Sequence, residues 1–256
     1  MIEFTRRARG ASGRWAAIRA SASHAACGLE PVLARAQAAG ITHESPDQQN
    51  VDWNFELASA VGFGEAYGRQ LAETLDGQGQ YAVFVGGLTV PLHNAWADAA
   101  IAWIGANHPG MELVGERFGV AGDVDASRRT ALDLMRAHEG LRGFLAFGSQ
   151  GPIGAARAVE ERRRGGEVIV LGPFSPGQGR MLMQDGILSG GYMWNPKQAG
   201  EVFVTLGTML ADDEPVEAGM EIEGLGVIEP EGRNIIVDQL VEINADTVDD
   251  LAAMGL

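Results

Sequence analysis

The chain has 256 residues, 46% of them apolar and 21% charged, which is enough core for one large domain or two smaller ones. Its net charge of −15 excludes a phosphate-backbone partner, because that contact needs a basic surface, so no nucleic acid is expected. Cys27 is the single cysteine, which excludes an intrachain disulfide and leaves the redox compartment open.

Charge is unevenly spread. Residues 1–40 carry six Arg against Glu3 and Glu30, so they are +4 and the remainder is −19. The opening stretch is basic but has no apolar core of signal-peptide length, and no window reaches the apolar length that spans a bilayer. Gly10, Ser12 and Gly13 weaken any helix there, so residues 1–28 are expected to be poorly ordered or foreign to the fold.

A helix is predicted over 29–39, with Pro31 in its first turn and Gly40 at its stop. Ile41 and Thr42 form a strand stub before the polar turn His43-Glu44-Ser45-Pro46. A helix over 63–75 runs into Asp76-Gly77, and a strand follows over 81–85. Next come a helix over 91–106, a strand over 111–118, and a helix over 125–138 that Asp125 is placed to cap. Strand 143–147, helix 152–164, strand 168–171, helix 176–185, strand 190–194 and helix 196–210 follow in alternation. After Asp213 the pattern changes to short extended pieces within 216–228 and 235–240, then a last helix over 245–254.

Four stretches share one design: an apolar run, a small or polar turn, then a helix start. They are 81–87 into 88–94, 144–147 into 148–154, 168–171 into 172–178, and 191–194 into 195–198. Continuous apolar strands alternating with helices read as an α/β fold with a buried parallel sheet. Ligands bind beyond the carboxyl ends of such strands. The turns there carry His93, Asn94, Trp96, Ser149, Gln150, Phe174, Trp194 and Asn195. Amides, a hydroxyl and aromatic faces suit a neutral polyhydroxylated ligand. Gly148 and Gly151 are read as letting backbone approach that ligand. The helical spacing of Trp96 fits core packing equally well.

Two tempting motifs fail. Gly62-Phe-Gly64-Glu-Ala-Tyr-Gly68 lacks both the preceding apolar strand and the spacing of a dinucleotide loop, so helix packing accounts better for its glycines. Ser149, His93 and Asp98 are not linked by any nucleophile-elbow motif, and His93 has no second metal ligand at usable spacing. No catalytic residue, metal or cofactor is expected.

The blocks THESPDQQN (42–50), FVGGLTVPLHNAWADA (84–99), FGSQGPIGAARAVEE (147–161), VLGPFSPGQ (170–178) and WNPKQAG (194–200) carry a resemblance. Over about residues 29–256 the chain resembles the type I periplasmic sugar-binding proteins of ABC transporters, nearest the autoinducer-2- and rhamnose-binding branch. The resemblance implies two lobes, each a parallel sheet flanked by helices, with ligand held between them. It places an incomplete N-terminal lobe at 1–61 and 196–232, a C-terminal lobe at 62–195, and a terminal crossover segment and helix at 233–256. It puts Glu44 where the family has an acid that accepts from sugar hydroxyls, with His43 and Asp47 as weaker neighbours. Phe174 stands where many relatives have an Asp, so a ring would stack on the sugar there. The Arg that relatives often carry near Asn94 is missing, which argues against an anionic ligand.

The implied activity is binding of a monosaccharide-like ligand without chemistry, by a periplasmic, monomeric receptor that meets a membrane permease. A sugar-sensing receptor or regulator on the same fold is the alternative, and a nucleotide-dependent enzyme of Rossmann type is a third reading. The family's first strand, helix and second strand have no counterpart here. The chain is therefore expected to be such a receptor with its first quarter lost or replaced, along with its export signal.

Overall fold

The alternation of apolar runs and helices becomes a parallel sheet between helical layers. The computed structural model describes residues 58–211, 214–222, 226–228, 230, 234–236 and 240–256, with backbone only at 198, 210 and 211. It also describes the backbone of 8–9, 15–16, 44–46 and 53–56. The chain divides into two units: Met1–Ser59 with Trp194–Gln239, and Ala60–Met193 with Leu240–Leu256.

The second unit holds helix α1 (Ala60–Thr74), strand β5 (Gly79–Val85), α2 (Pro91–Asn107), β6 (Met111–Leu113), α3 (Val124–Ala137), β7 (Leu141–Phe147), α4 (Gly151–Glu161), β8 (Ile169–Leu171) and α5 (Pro176–Gln184). Its closing elements are β13 (Leu240–Ile243) and α7 (Val248–Ala253). The sheet order is β6-β5-β7-β8 with every pairing parallel. Strand β9 (Gly191–Trp194) pairs with β13 and meets β8 through a parallel bridge, Leu171 to Gly190.

Tyr81–Val85 and Phe144–Phe147 are buried throughout, as strands covered on both faces must be. Successive residues divide between the two layers. Ala82, Phe84, Phe144, Ala146 and Val170 join the core that includes Ala131, Leu134, Ile153 and Val159 of α3 and α4. On the other face, Phe147 meets the rings of Tyr67 on α1 and Trp96 on α2. Helices α1 and α2 approach closely because Gly64 and Gly68 offer no Cβ. One added at Gly64 would run into the Trp96 carbonyl, and one at Gly68 would stand 3.1 Å from the Ala100 carbonyl. The glycines of 62–68 thus serve helix packing.

Two expectations along this unit need correction. The strand expected over 111–118 is regular only to Leu113. The chain swings out around Gly115, at φ 69°, and rejoins β5 at Phe118, where Val85 N–H donates to the Phe118 carbonyl at 2.9 Å. The cap of α3 is Asp123, not Asp125. Asp123 is extended and its carboxylate accepts from Ala126 N–H at 2.6 Å, whereas Asp125 lies inside the first turn.

Helix α4 ends with Arg163 in the left-handed region, at φ 56°, while Arg163 N–H and Arg164 N–H reach back to the carbonyls of Glu160 and Val159. Glycine is the usual residue there. Arg163→Gly is expected to raise the unfolding midpoint, because relief of about 1–2 kcal/mol of strain exceeds glycine's added chain entropy of about 0.5–1 kcal/mol. Urea denaturation measures this, and a lowered midpoint would contradict it.

The first unit has strands β1 (Ala8–Arg9) and β2 (Trp15–Ala16), which pair antiparallel. Strands β3 (Glu44–Pro46), β4 (Trp53–Glu56) and β12 (Asn234–Ile236) form a parallel sheet in the order β12-β4-β3. Helix α6 (Pro196–Ala211) and the short antiparallel pair β10 (Glu221–Ile222) and β11 (Gly226–Val227) complete it. A core of Val202, Phe203, Leu206, Ile222, Ile228 and Ile235 gathers Trp194 and Met220 around it.

This sheet corrects the reading of residues before 62 as one helix and a stub. Trp53–Glu56 contains the polar Asn54 and Glu56, yet it pairs on both sides. Glu44–Pro46, expected as a turn, is the edge strand as described, and an edge tolerates a proline that lacks an N–H. The helix expected at 29–39 and the stub at 41–42 lie outside the described residues.

Candidate functional site

In the second unit the order β6-β5-β7-β8 reverses direction between β5 and β7, and a doubly wound sheet opens its crevice at that switch point. Its walls are the turn after β5 (86–90), the turn after β7 (148–150) and the connection from β6 to α3. Ala121 of that connection lies between the two turns. Its N–H donates to the Val85 carbonyl at 2.8 Å, and its carbonyl accepts from Gln150 N–H at 3.2 Å.

Gly148 and Gly151 serve this contact. A Cβ on Gly148 would stand 2.8 Å from the Ala121 carbonyl, and one on Gly151 2.6 Å from the Ala121 methyl. The close approach expected toward a ligand is spent, at these two positions, on the neighbouring loop.

His93 is 7% exposed and its Nδ1 accepts from Gly86 N–H at 3.2 Å, so the second ring nitrogen carries the proton in the neutral form. Its ring stacks on Trp96 with centroids 5.3 Å apart. Trp96, 1% exposed, also packs on Phe63 at 4.5 Å. Of the two readings left open for Trp96, the structure realises the core one. Asn94 is held at both ends. Its Nδ2 donates to the carbonyls of Val90 at 2.7 Å and Gly87 at 3.1 Å, and its Oδ1 accepts from Arg117 at 3.0 Å. His93 and Asn94 therefore shape the turn after β5 more than they face a ligand.

Arg117 was missed in the sequence. The neighbourhood of Asn94 looked empty of Arg, but the excursion at 115–117 brings this guanidinium to Asn94 and to the carboxylate of Asp98. The positive charge sits 23 residues along the chain from Asn94, where local spacing could not show it.

Phe174 is 2% exposed within the main core, and its ring fills the space a Cβ on Gly179 would need. That burial sets the ring among core side chains. Ser149 is exposed and Gln150 half-buried, and Gln150 Nε2 donates to the Ser149 hydroxyl at 3.3 Å. These two side chains stand at the switch point.

In the first unit, Trp194 and Asn195 are half-buried. Trp194 packs on that unit's core, and Asn195 Oδ1 accepts from Lys197 N–H at 3.0 Å, an N-cap for α6. Glu44 lies in β3 by its backbone, and its side chain, with His43 and Asp47, is outside the described residues.

Helices α2, α4 and α5 begin beside these turns at Val90, Gln150 and Ser175, none of which makes a side-chain cap bond. Proline removes one first-turn donor from each, at 91, 152 and 176, and the N–H groups of Asn94, Gly151, Gly154, Gly177, Gln178 and Gly179 already donate to protein carbonyls. Among the described residues no three His, Cys, Asp or Glu group to hold a metal ion, and no helix is long and apolar enough to cross a membrane. The site offers uncharged hydrogen bonding from the Ser149 hydroxyl and the Gln150 amide.

A family model described as a periplasmic binding protein domain matches residues 18–215. Among solved structures, LsrB from Clostridium saccharobutylicum in complex with AI-2 matches with a TM-score of 0.82 at 17% identity, covering 91% of this chain and 81% of that one. An ABC transporter solute-binding protein from Clostridium phytofermentas with bound L-rhamnose matches at 0.79 and 19% identity, covering 88% and 77%. A sugar ABC transporter protein from Actinomyces odontolyticus matches at 0.72 and 23% identity, covering 87% and 74%. The family match spans most of the chain and agrees with the parallel, doubly wound architecture: this chain belongs to the periplasmic binding protein family.

Proposed function

We propose that this chain is the substrate-binding component of a bacterial sugar ABC transporter, acting outside the cytoplasm beside a membrane permease. It takes a monosaccharide-like ligand and performs no chemistry on it. The two units are the lobes of that receptor in this reading. The observation that carries it is the switch-point crevice of the second unit. There the side chains of Ser149 and Gln150 offer neutral donors and acceptors that match hydroxyl groups. The named solved structures support it, since one holds L-rhamnose and another AI-2.

Isothermal titration against pentoses, 6-deoxyhexoses and sugar alcohols tests the reading, and turnover of any of them would sink it. With the panel sugar that binds best, Ser149→Ala and Gln150→Ala are each expected to weaken affinity about 3- to 10-fold, the value of one net hydrogen bond. Unchanged affinity in the double variant would move the site elsewhere.

A further inference from the structure

Strands β8 and β9 part after a single bridge. Gly172 N–H donates to the Gly190 carbonyl at 3.4 Å, and the ladder goes no further, because the chain turns away into α5. Alternate residues of a strand present their backbone groups to the same side, so Tyr192 faces the gap that β8 leaves. A buried N–H and C=O without partners would be costly there.

The Tyr67 hydroxyl fills that gap. It accepts from Tyr192 N–H at 2.6 Å and donates to the Tyr192 carbonyl at 2.8 Å. The ring is 0% exposed and is set edge-on by Phe63 at 5.0 Å, Tyr192 at 5.4 Å and Phe147 at 5.6 Å. Burial pushes the hydroxyl well above its usual pKa, so it keeps the proton that it donates. Gly191 makes room: a Cβ there would stand 2.6 Å from the Tyr67 hydroxyl and would also run into the Gly172 carbonyl.

We propose that Tyr67 is a positioning residue for ligand binding: its hydroxyl stands in for the missing strand partner of Tyr192 and fixes the strand that ends at Trp194. Strand β9 is where the chain leaves the second unit, and Tyr192 lies two residues before that boundary. Tyr67 thus acts through β9 and does not itself touch sugar. The functional part of the proposal rests on the sugar-receptor reading.

Amide hydrogen exchange tests the clamp with no variant. Tyr192 N–H should be as protected as the β5–β7 ladder, although no strand faces it, and fast exchange in the wild type overturns the proposal. In Tyr67→Phe, exchange across 190–194 should quicken by about tenfold or more while 81–85 stays unchanged. Titration with L-rhamnose, D-ribose and D-fucose reads the consequence. The best binder of the three should lose about tenfold in affinity in Tyr67→Phe, a loss of the size of a net hydrogen bond. Leu134→Ala, which destabilises the other face of the sheet, should keep its affinity. Equal losses in both variants, or none in Tyr67→Phe, overturn the positioning role. A wild type that binds none of the three sugars counts against the sugar-receptor reading, and the exchange result still decides the clamp.

Discussion

Trp96→Ala is expected to cost about 3–5 kcal/mol of the second unit's stability, the range for deleting a fully buried large aromatic. The indole is 1% exposed and packs between Phe63 of α1, His93 of its own helix and Phe147 of β7. Removing the indole leaves a cavity among these rings, so a cavity term adds to the lost transfer energy. The loss should spread to the turn after β5. His93 stacks on Trp96 and holds Gly86 N–H, so a freed imidazole loosens the start of α2. Denaturant unfolding followed by far-UV circular dichroism measures the cost, and Trp96→Phe should recover much of it. A cost under about 1 kcal/mol, with sugar binding abolished, would instead mark Trp96 as a ligand surface.

Gly64→Ala is expected to destabilise by about 1–3 kcal/mol, although alanine is ordinarily the better helix former by about 0.5–1 kcal/mol. The sign reverses because the new methyl would meet backbone. It would run into the Trp96 carbonyl, and it would stand 2.7 Å from the Ala99 methyl and 3.1 Å from Ala100 N. Backbone cannot rotate away as a flexible side chain can, so α1 and α2 must separate and loosen their shared core. Gly105 on α2 is the control, since a Cβ there meets nothing within 4 Å. Gly105→Ala should therefore stabilise by about 0.5–1 kcal/mol. Thermal unfolding of the pair measures both, and shifts of the same sign would show that the α1–α2 seam is looser than described.

The elements that were legible are those whose evidence is local. Continuous apolar runs such as 81–85 and 144–147 can only be strands covered on both faces, and the turn residues after them punctuate plainly. Pro91, Pro152 and Pro176 marked helix starts that the structure keeps within a residue or so. Strand β4 was not legible, because its pairing partners supply what its composition lacks. Asn54 pairs with Asn234, far along the chain, and a polar segment becomes a strand by completing another's ladder. The cap of α3 moved by two residues because both aspartates have capping chemistry and only backbone conformation selects between them.

The site divides along the same line. The sequence by itself determined the family, the βα order and the polar turns at the strand ends, because each is written in runs of a few residues. Tertiary structure alone decided which turn residues are committed to the protein. Trp96 and Phe174 went to the core, and His93 and Asn94 to bracing the turn after β5. Arg117 came to Asn94, and Tyr67 came to Tyr192 across 125 residues. The physical reason is shared by all of these. A side chain's chemistry is fixed by its type, but whether that chemistry is spent inside the protein depends on which distant backbone groups would otherwise be buried without a partner.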